Sequence, residues 1–413
     1  MGKNVPIIRF PGFTDDWEQR KLSDEFSDFI VPMRDKPKEF GGIVPWTRIE
    51  DIEGKYLNGT LSGQYVTEET IKKMNLKIIP KDSLIVSSSA TFGVVAIVTQ
   101  DLITNQTFIG LVPKDKNIID FWYSYFQSDE ARRYMKLQSA GSTIFYISRE
   151  SFEKMPITVP SKDEAVKIGE FFSNLDNTIT LHQRKLEAIK EYKNGCLQKM
   201  FSRNGAAIPE MRFPEFTGDW EQRKLGDLVS LRGRIGFRGY KQTDLVEPGS
   251  GAITFSPADI DDEGRVSLIN NKYLSWEKYE ESPEIKVQPG DILFTKTASI
   301  GKIGYVKELK EKATINPQFA LLTPVEEVAG YFIFNSVRTD EFMKKVRDIT
   351  GGSSVPTMSQ EKLKELTIMV PSLAEQVRIG EFLTKLDDTI TLHQRRLDKY
   401  KELKKGLLQQ MFV

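Results

Sequence analysis

The chain carries one cysteine, Cys196, and two histidines, His182 and His393, among 413 residues. A single thiol excludes an internal disulfide framework and fits a reducing compartment. One thiol and two imidazoles are too few for His/Cys zinc sites and argue against a Cys–His nucleophilic pair. Net charge is absent as well, since 58 basic residues balance 58 acidic ones. A protein that grips nucleic acid unaided is usually basic, so the balance counts against an autonomous binder. No apolar run approaches the ~18 residues needed to span a bilayer. SLIVSSSATFGVVAIV, at 83–98, is interrupted by small polar residues. The opening MGKNVPIIRF lacks the apolar centre of a secretory signal. What remains is 39% apolar and 28% charged, an ordinary soluble composition expected in the cytoplasm. The length exceeds what one core supports and implies two to four domains.

What is present is a repeat. RFPGFTDDWEQRKL at 9–22 returns as RFPEFTGDWEQRKL at 212–225, identical at 12 of 14 positions. IGEFFSNLDNTITLHQRKLEAIKEYKNGCLQKMF at 168–201 returns as IGEFLTKLDDTITLHQRRLDKYKELKKGLLQQMF at 379–412, identical at 22 of 34. The order is phrase, variable stretch, long repeat, twice over. With two copies of about two hundred residues, this is a duplicated module and not a solenoid.

The long repeat reads as a punctuated helix. Ser161 with Glu164, and Ser372 with Glu375, match the S-x-x-E capping box, each just after a proline. Ile168, Phe172, Leu175, Ile179, His182, Leu186, Ile189, Lys193, Cys196 and Met200 then step by four and three. Ile379, Leu383, Leu386, Ile390, His393, Leu397, Tyr400, Lys404, Leu407 and Met411 step identically. Each is a heptad seam that must be buried, on a helix roughly 55–60 Å long. The nearest partner is the other copy, and the pair could run parallel or antiparallel. A two-fold relation between the copies, which the intervening globular stretch favours, would make it antiparallel. End-to-end pairing would bring His182 and His393 together. They then serve as polar seam residues fixing register, with a metal site or pH switch as the alternatives. Gly195 and Gly406 interrupt the pattern, where each costs ~1 kcal/mol relative to Ala. Close approach of another backbone would explain them, and so would inheritance from the duplication.

Residues 23–160 and 226–371 share only an outline, with extended segments, a short helical segment and a second approach to the long repeat. That outline implies a mixed α/β fold. A frame kept alike around unlike loops suggests two different recognition surfaces. LRGRIGFRGYK carries Arg232, Arg234, Arg238 and Lys241 among glycines, and TKTASIGK carries Lys296 and Lys302. The first stretch offers Arg34, Lys36, Lys38 and Arg48, with the hydroxyls Ser87, Ser88, Ser89 and Thr91. Such loops suit phosphate clamping or base reading, although most basic loop residues are simply solvated. Both stretches are slightly acidic, with 16 basic against 18 acidic residues in the first and 19 against 21 in the second. If they bind DNA, a partner must supply charge.

Catalytic patterns are weak. INPQF, from Ile315 to Phe319, lacks the second proline of the N-P-P-[FYW] motif of amino-methyltransferases, and no glycine-rich cofactor loop follows a strand. Asp291, Glu308 and Lys310 can be drawn as a nuclease-like D…E-x-K set, which a chain this rich in Lys and Glu yields by chance.

Two variable stretches alternating with two repeated helices, opened by FPxFTxDWEQRKL and carrying LDxTITLHQR, resemble the specificity subunit of type I restriction–modification systems. The resemblance covers essentially the whole chain. It implies an α+β fold in which two mixed α/β target recognition domains are separated by a pair of long antiparallel coiled-coil helices with pseudo-two-fold symmetry. It divides the chain into lead-in 1–22, recognition domain 23–160, conserved helix 161–203, linker and second lead-in 204–225, recognition domain 226–371 and conserved helix 372–413. Each domain would read half of an asymmetric bipartite site on double-stranded DNA, and the helix pair would set the spacer. Two methylation subunits would carry S-adenosylmethionine and methylate adenine, and restriction subunits would use ATP and Mg. The chain itself would be non-catalytic and hold no cofactor or metal. A two-domain scaffold that does not bind DNA is the reading from a different class. The repeated phrase, with Phe10, Phe13, Trp17, Phe213, Phe216 and Trp220, would pack beside the helices or contact a methylation subunit.

Overall fold

The computed structural model describes residues 5–33, 35–88, 92–139, 147–234, 239–297, 300–350 and 357–413. Arg34, Ser89, Thr91 and Arg238 therefore lie outside the described residues. The chain divides into two units, one formed by residues 1–185 with 393–413 and the other by 186–392. Each unit thus takes a segment from both long helices, Lys162–Lys199 and Leu373–Gln410.

In the first unit a five-stranded sheet runs Phe26–Ile30, Phe108–Pro113, Leu84–Ser87, Val95–Val98, Tyr56–Leu57. The strand Leu84–Ser87 is buried along its whole length because both faces are covered. Leu84 and Val86 face a core built with Phe172 and Leu175 of one long helix and Phe412 just past the end of the other. Ile85, on the other face of the pleat, joins a second core with Leu57, Ile79 and Phe108. Behind it a small sheet sets Val44–Thr47 parallel to Ile103–Thr104.

The second unit repeats this plan. Its sheet orders Val229–Arg232, Phe319–Pro324, Ile292–Thr295, Ile303–Tyr305. Ile292 and Phe294 face Ile379 and Leu383 of the long helix, while Leu293 joins Ile253, Ile315 and Leu321 on the other side. A five-stranded sheet here contains the parallel pair Gly251–Phe255 and Ala313–Ile315. The second unit's outer sheet thus has five strands where the first has three, and its inner sheet has four where the first has five.

The repeated phrase is structural in both copies. Glu18–Lys21 pairs antiparallel with Pro156–Val159, and Glu221–Lys224 pairs with Thr367–Val370, the strands that lead into the long helices. Trp17 packs edge-on against Phe412, and Trp220 against Phe201. Phe10 meets Phe171, and Phe213 meets Phe382. Half of each expected capping box forms, since the Glu164 and Glu375 amides donate to Ser161 Oγ and Ser372 Oγ at 3.4 Å. The carboxylates are engaged by arginines of the phrase instead. Arg9 donates to both Glu164 oxygens and Arg212 to both Glu375 oxygens.

Within each unit the two helix segments run antiparallel. In the first, the His182 and His393 Nδ1 atoms lie 3.4 Å apart, Lys404 bonds Asp176 at 2.6 Å, and the Phe172 and Phe412 ring centres lie 5.9 Å apart. In the second, Lys193 bonds Asp387 at 2.5 Å. Leu175, Leu186, Ile390, His393 and Leu397 are buried, while Ile179, His182 and Leu386 are half-buried.

The two interrupting glycines are not sites of close approach. A Cβ at Gly195 or Gly406 would meet nothing within 4 Å. Backbone contact occurs instead at Gly169, where a Cβ would lie 2.7 Å from the Phe121 nitrogen.

Candidate nucleic-acid interface

Each unit fixes its globular part to helix segments through charged contacts. In the first, Lys55 spans from Asp120 at 2.6 Å to Ser173 at 2.9 Å. In the second, Lys190 pairs with Glu263 at 2.6 Å and Arg265 donates to Thr391 Oγ1 at 2.8 Å. The loops carrying the candidate residues are therefore presented by a braced support.

In the first unit Lys36 lies 5.5 Å from the centres of both the Phe40 and Trp46 rings, and Arg48 lies 4.7 Å from Trp46. Arg48 also donates to Gln64 and Glu50. This is a cationic cluster on an aromatic platform, with Phe40 exposed. Ser87 and Ser88 have a different fate. Both are buried, and Ser88 Oγ donates to the Thr107 carbonyl at 3.3 Å. They belong to or adjoin the middle strand of a five-stranded sheet, which draws their hydroxyls into the fold.

In the second unit the edge strand Val229–Arg232 leads directly into the basic loop. Arg232 donates to Thr323 Oγ1 at 2.6 Å and lies 3.9 Å from Asp291. Asp291 is itself buried, and burial raises its pKa against the opposing pull of Thr323, Gln288 and Arg232. It accepts from the Gln288 amide and Thr323, so it is a turn-closing group. Arg232 thereby faces this carboxylate through Thr323, and its buried Nε meets no partner among the described residues. Arg234 donates to the Ile315 carbonyl at 3.1 Å, lies 5.5 Å from the Tyr240 ring, and burial lowers its pKa. Lys241 is exposed. Lys302 borders a surface depression also lined by Asp261, Asp262 and Arg338, so acidic groups face it. Lys296 follows the strand Ile292–Thr295 and is half-buried, with its pKa lowered by burial against an opposing pull from Glu361.

The structure therefore brings Arg232, Arg234 and Lys296 to one end of the sheet and leaves Lys241 and Lys302 apart from a shared pairing. It adds Gln360, which no local pattern singles out, packed over Gly233. The Asn316 side chain of INPQF bonds Gln318 within its own turn. Among the described residues no three His, Cys, Asp or Glu side chains gather as a metal site, and no helix is long and apolar enough to cross a membrane.

Two modules with one frame and unlike cationic loops define a protein of paired recognition surfaces. The chain belongs to the type I restriction modification DNA specificity domain family, whose model matches residues 14–191 and 217–402. It is 22% identical over 420 residues to the type I restriction enzyme MjaVIII specificity subunit of Methanocaldococcus jannaschii, across 98% of this chain and 93% of that one. It is 28% identical over 185 residues to the type I restriction enzyme HindI specificity subunit of Haemophilus influenzae, across 42% of this chain and 39% of that one. The type I restriction–modification S subunit from M. genitalium shares the fold, with a TM-score of 0.63 at 15% identity over 99% of both chains.

Proposed function

We propose that this chain is the sequence-reading subunit of a type I restriction–modification complex. Its two globular parts each read one half of an asymmetric bipartite target on double-stranded DNA, and the helix pair sets the spacer between the halves. The observation that carries this is the contrast between a twice-used frame, with Arg9–Glu164 and Arg212–Glu375 in equal roles, and the unlike loops it supports. A duplicated enzyme would be expected to keep its reacting groups alike, whereas a duplicated reader gains from making its loops differ.

The slightly acidic recognition stretches give little phosphate affinity on their own. The reading therefore requires two methylation subunits that close on the DNA, supply cationic contacts and carry S-adenosylmethionine for adenine methylation. Restriction subunits, with ATP and Mg, complete the assembly in the cytoplasm. This chain contributes no catalytic group and no cofactor site.

The test is a gel shift with the chain alone, with methylation subunits alone, and with both. We expect sequence-dependent binding only for the combination, with methylated adenines mapping to a two-part motif of fixed spacing. A combined complex that binds all sequences equally would favour a protein scaffold and remove the proposal.

A further inference from the structure

The second unit holds two half-buried polar side chains that find no hydrogen-bond partner among the described residues. The Lys296 amide donates to the Gln318 carbonyl at 2.8 Å, and its carbonyl accepts from the Met358 amide at 2.8 Å, so the backbone is pinned on both sides. Its side chain is half-buried. Among the described residues, the ammonium meets no acceptor within hydrogen-bond or ion-pair distance. Burial outweighs the pull of Glu361, which lies beyond ion-pair distance, so the partial desolvation is only partly offset. Gln360 opens the short helix Gln360–Glu365 and is also half-buried. Its amide likewise meets no partner among the described residues.

Both groups converge over Gly233. A Cβ at that position would lie 2.3 Å from Gln360 Nε2 and 3.6 Å from Lys296 Nζ. Gly233 does not adopt the left-handed backbone that would itself demand glycine, so the residue supplies room. The result is an ammonium with three donors beside an amide with donor and acceptor, on a fixed backbone and without a hydrogen-bond partner among the described residues. Those are the groups that match purine edges: Lys to guanine O6 and N7, Gln to adenine N6 and N7. Arg232, by contrast, donates to Thr323 and lies 3.9 Å from Asp291, with its buried Nε left without a partner among the described residues.

We propose that Lys296 and Gln360, set over Gly233, read purine edges in the major groove of the half-site that the second unit recognises. This rests on the DNA-specificity reading above. Phosphate clamping would need only the charge. The pairing of an amide with the cation is what favours base edges.

The test uses the complete complex, with this chain coexpressed with its methylation subunits, and compares Lys296→Ala, Gln360→Ala and Gly233→Ala with the parent. The readouts are the methylated motif across the host genome and DNA affinity at several salt concentrations. Lys296→Ala and Gln360→Ala should each relax discrimination about 10- to 100-fold at one or two positions of one half-site, leaving the other half unchanged as an internal control for folding. Gly233→Ala keeps both side chains but displaces the Gln360 amide, and should reproduce the Gln360→Ala relaxation. Uniform weakening on every sequence, with the salt slope reduced by about one for Lys296→Ala alone, would make the lysine a phosphate contact and overturn the proposal. A two-part motif that ignores all three substitutions would overturn it too. If the parent complex shows no sequence-dependent motif, the functional reading itself falls.

Discussion

Arg9 grips Glu164 through two parallel charge-assisted hydrogen bonds, Nε to Oε1 at 2.6 Å and Nη2 to Oε2 at 2.7 Å, with the carboxylate fully buried. Arg212 repeats the fork on Glu375 at 2.8 and 2.7 Å. Each pair joins the entry of a globular part to the first turn of the helix that leaves it. A planar guanidinium suits this geometry, and a lysine ammonium cannot present two parallel donors.

Arg9→Lys and Arg212→Lys should therefore each cost roughly 1.5–3 kcal/mol despite conserving charge, because one charge-assisted hydrogen bond to a buried carboxylate is lost. Urea unfolding measures this. A midpoint equal to the parent's would show that the fork contributes nothing.

Glycine positions separate into two kinds. Gly195→Ala and Gly406→Ala fill open space and should each stabilise by up to about 1 kcal/mol through helix propensity. Gly169→Ala would place a methyl 2.7 Å from the backbone nitrogen of Phe121 and should destabilise by about 1–3 kcal/mol. Thermal melting of the three variants checks the signs.

Lys193 and Asp387 form a buried pair, and the Tyr331 hydroxyl donates to the second Asp387 oxygen at 2.5 Å. Burial lowers the Lys193 pKa more than Asp387 raises it. Asp387→Ala leaves a buried ammonium unpaired and should cost about 3–5 kcal/mol, whereas Lys193→Leu with Asp387→Leu should recover much of that loss. The double variant's denaturation midpoint decides whether the charge pair or simple packing holds this position.

His393 is pushed below its ordinary pKa of 6.5 by burial first, then by Lys185, His182 and Arg396. Tyr400 stacks on the neighbouring His182 ring. The unfolded chain then binds the proton more readily than the folded one, so stability rises with pH in this window. The contribution of neutral His393 is fully present above pH 6.5 and is lost as pH falls below it. The slope is at most about 1.4 kcal/mol per pH unit. His393→Leu should flatten the change in unfolding midpoint between pH 7.5 and 5.5. An unchanged slope would mean that His393 does not titrate between the folded and unfolded states.

The seam was legible because heptad spacing is written locally, and the spacing that placed His182 opposite His393 is matched by their contact. The role of the repeated phrase was only partly legible. Its aromatic residues pointed to packing, but the arginine's use did not show, because Glu164 stands 155 residues away and a capping box accounts equally well for that glutamate locally. Ser87 and Ser88 looked like surface hydroxyls in a small-residue run, yet the sheet order places that strand third of five. Gln360 carried no signal, since its meaning depends on the room left at Gly233.

By itself, the sequence determined the duplication, the two long helices with their buried stripes, the mixed α/β character of the variable stretches and the family. All of these follow from periodicity, composition and recurrence, which need no knowledge of distant partners. Tertiary structure alone decided which charges meet: Arg9 with Glu164, Lys193 with Asp387, Lys404 with Asp176, and Lys296 with no ion-pair partner among the described residues. Buried charges are stabilised or stranded by whatever the fold brings within a few ångströms, and in a chain with 58 residues of each sign that choice is open until the sheets and helices close.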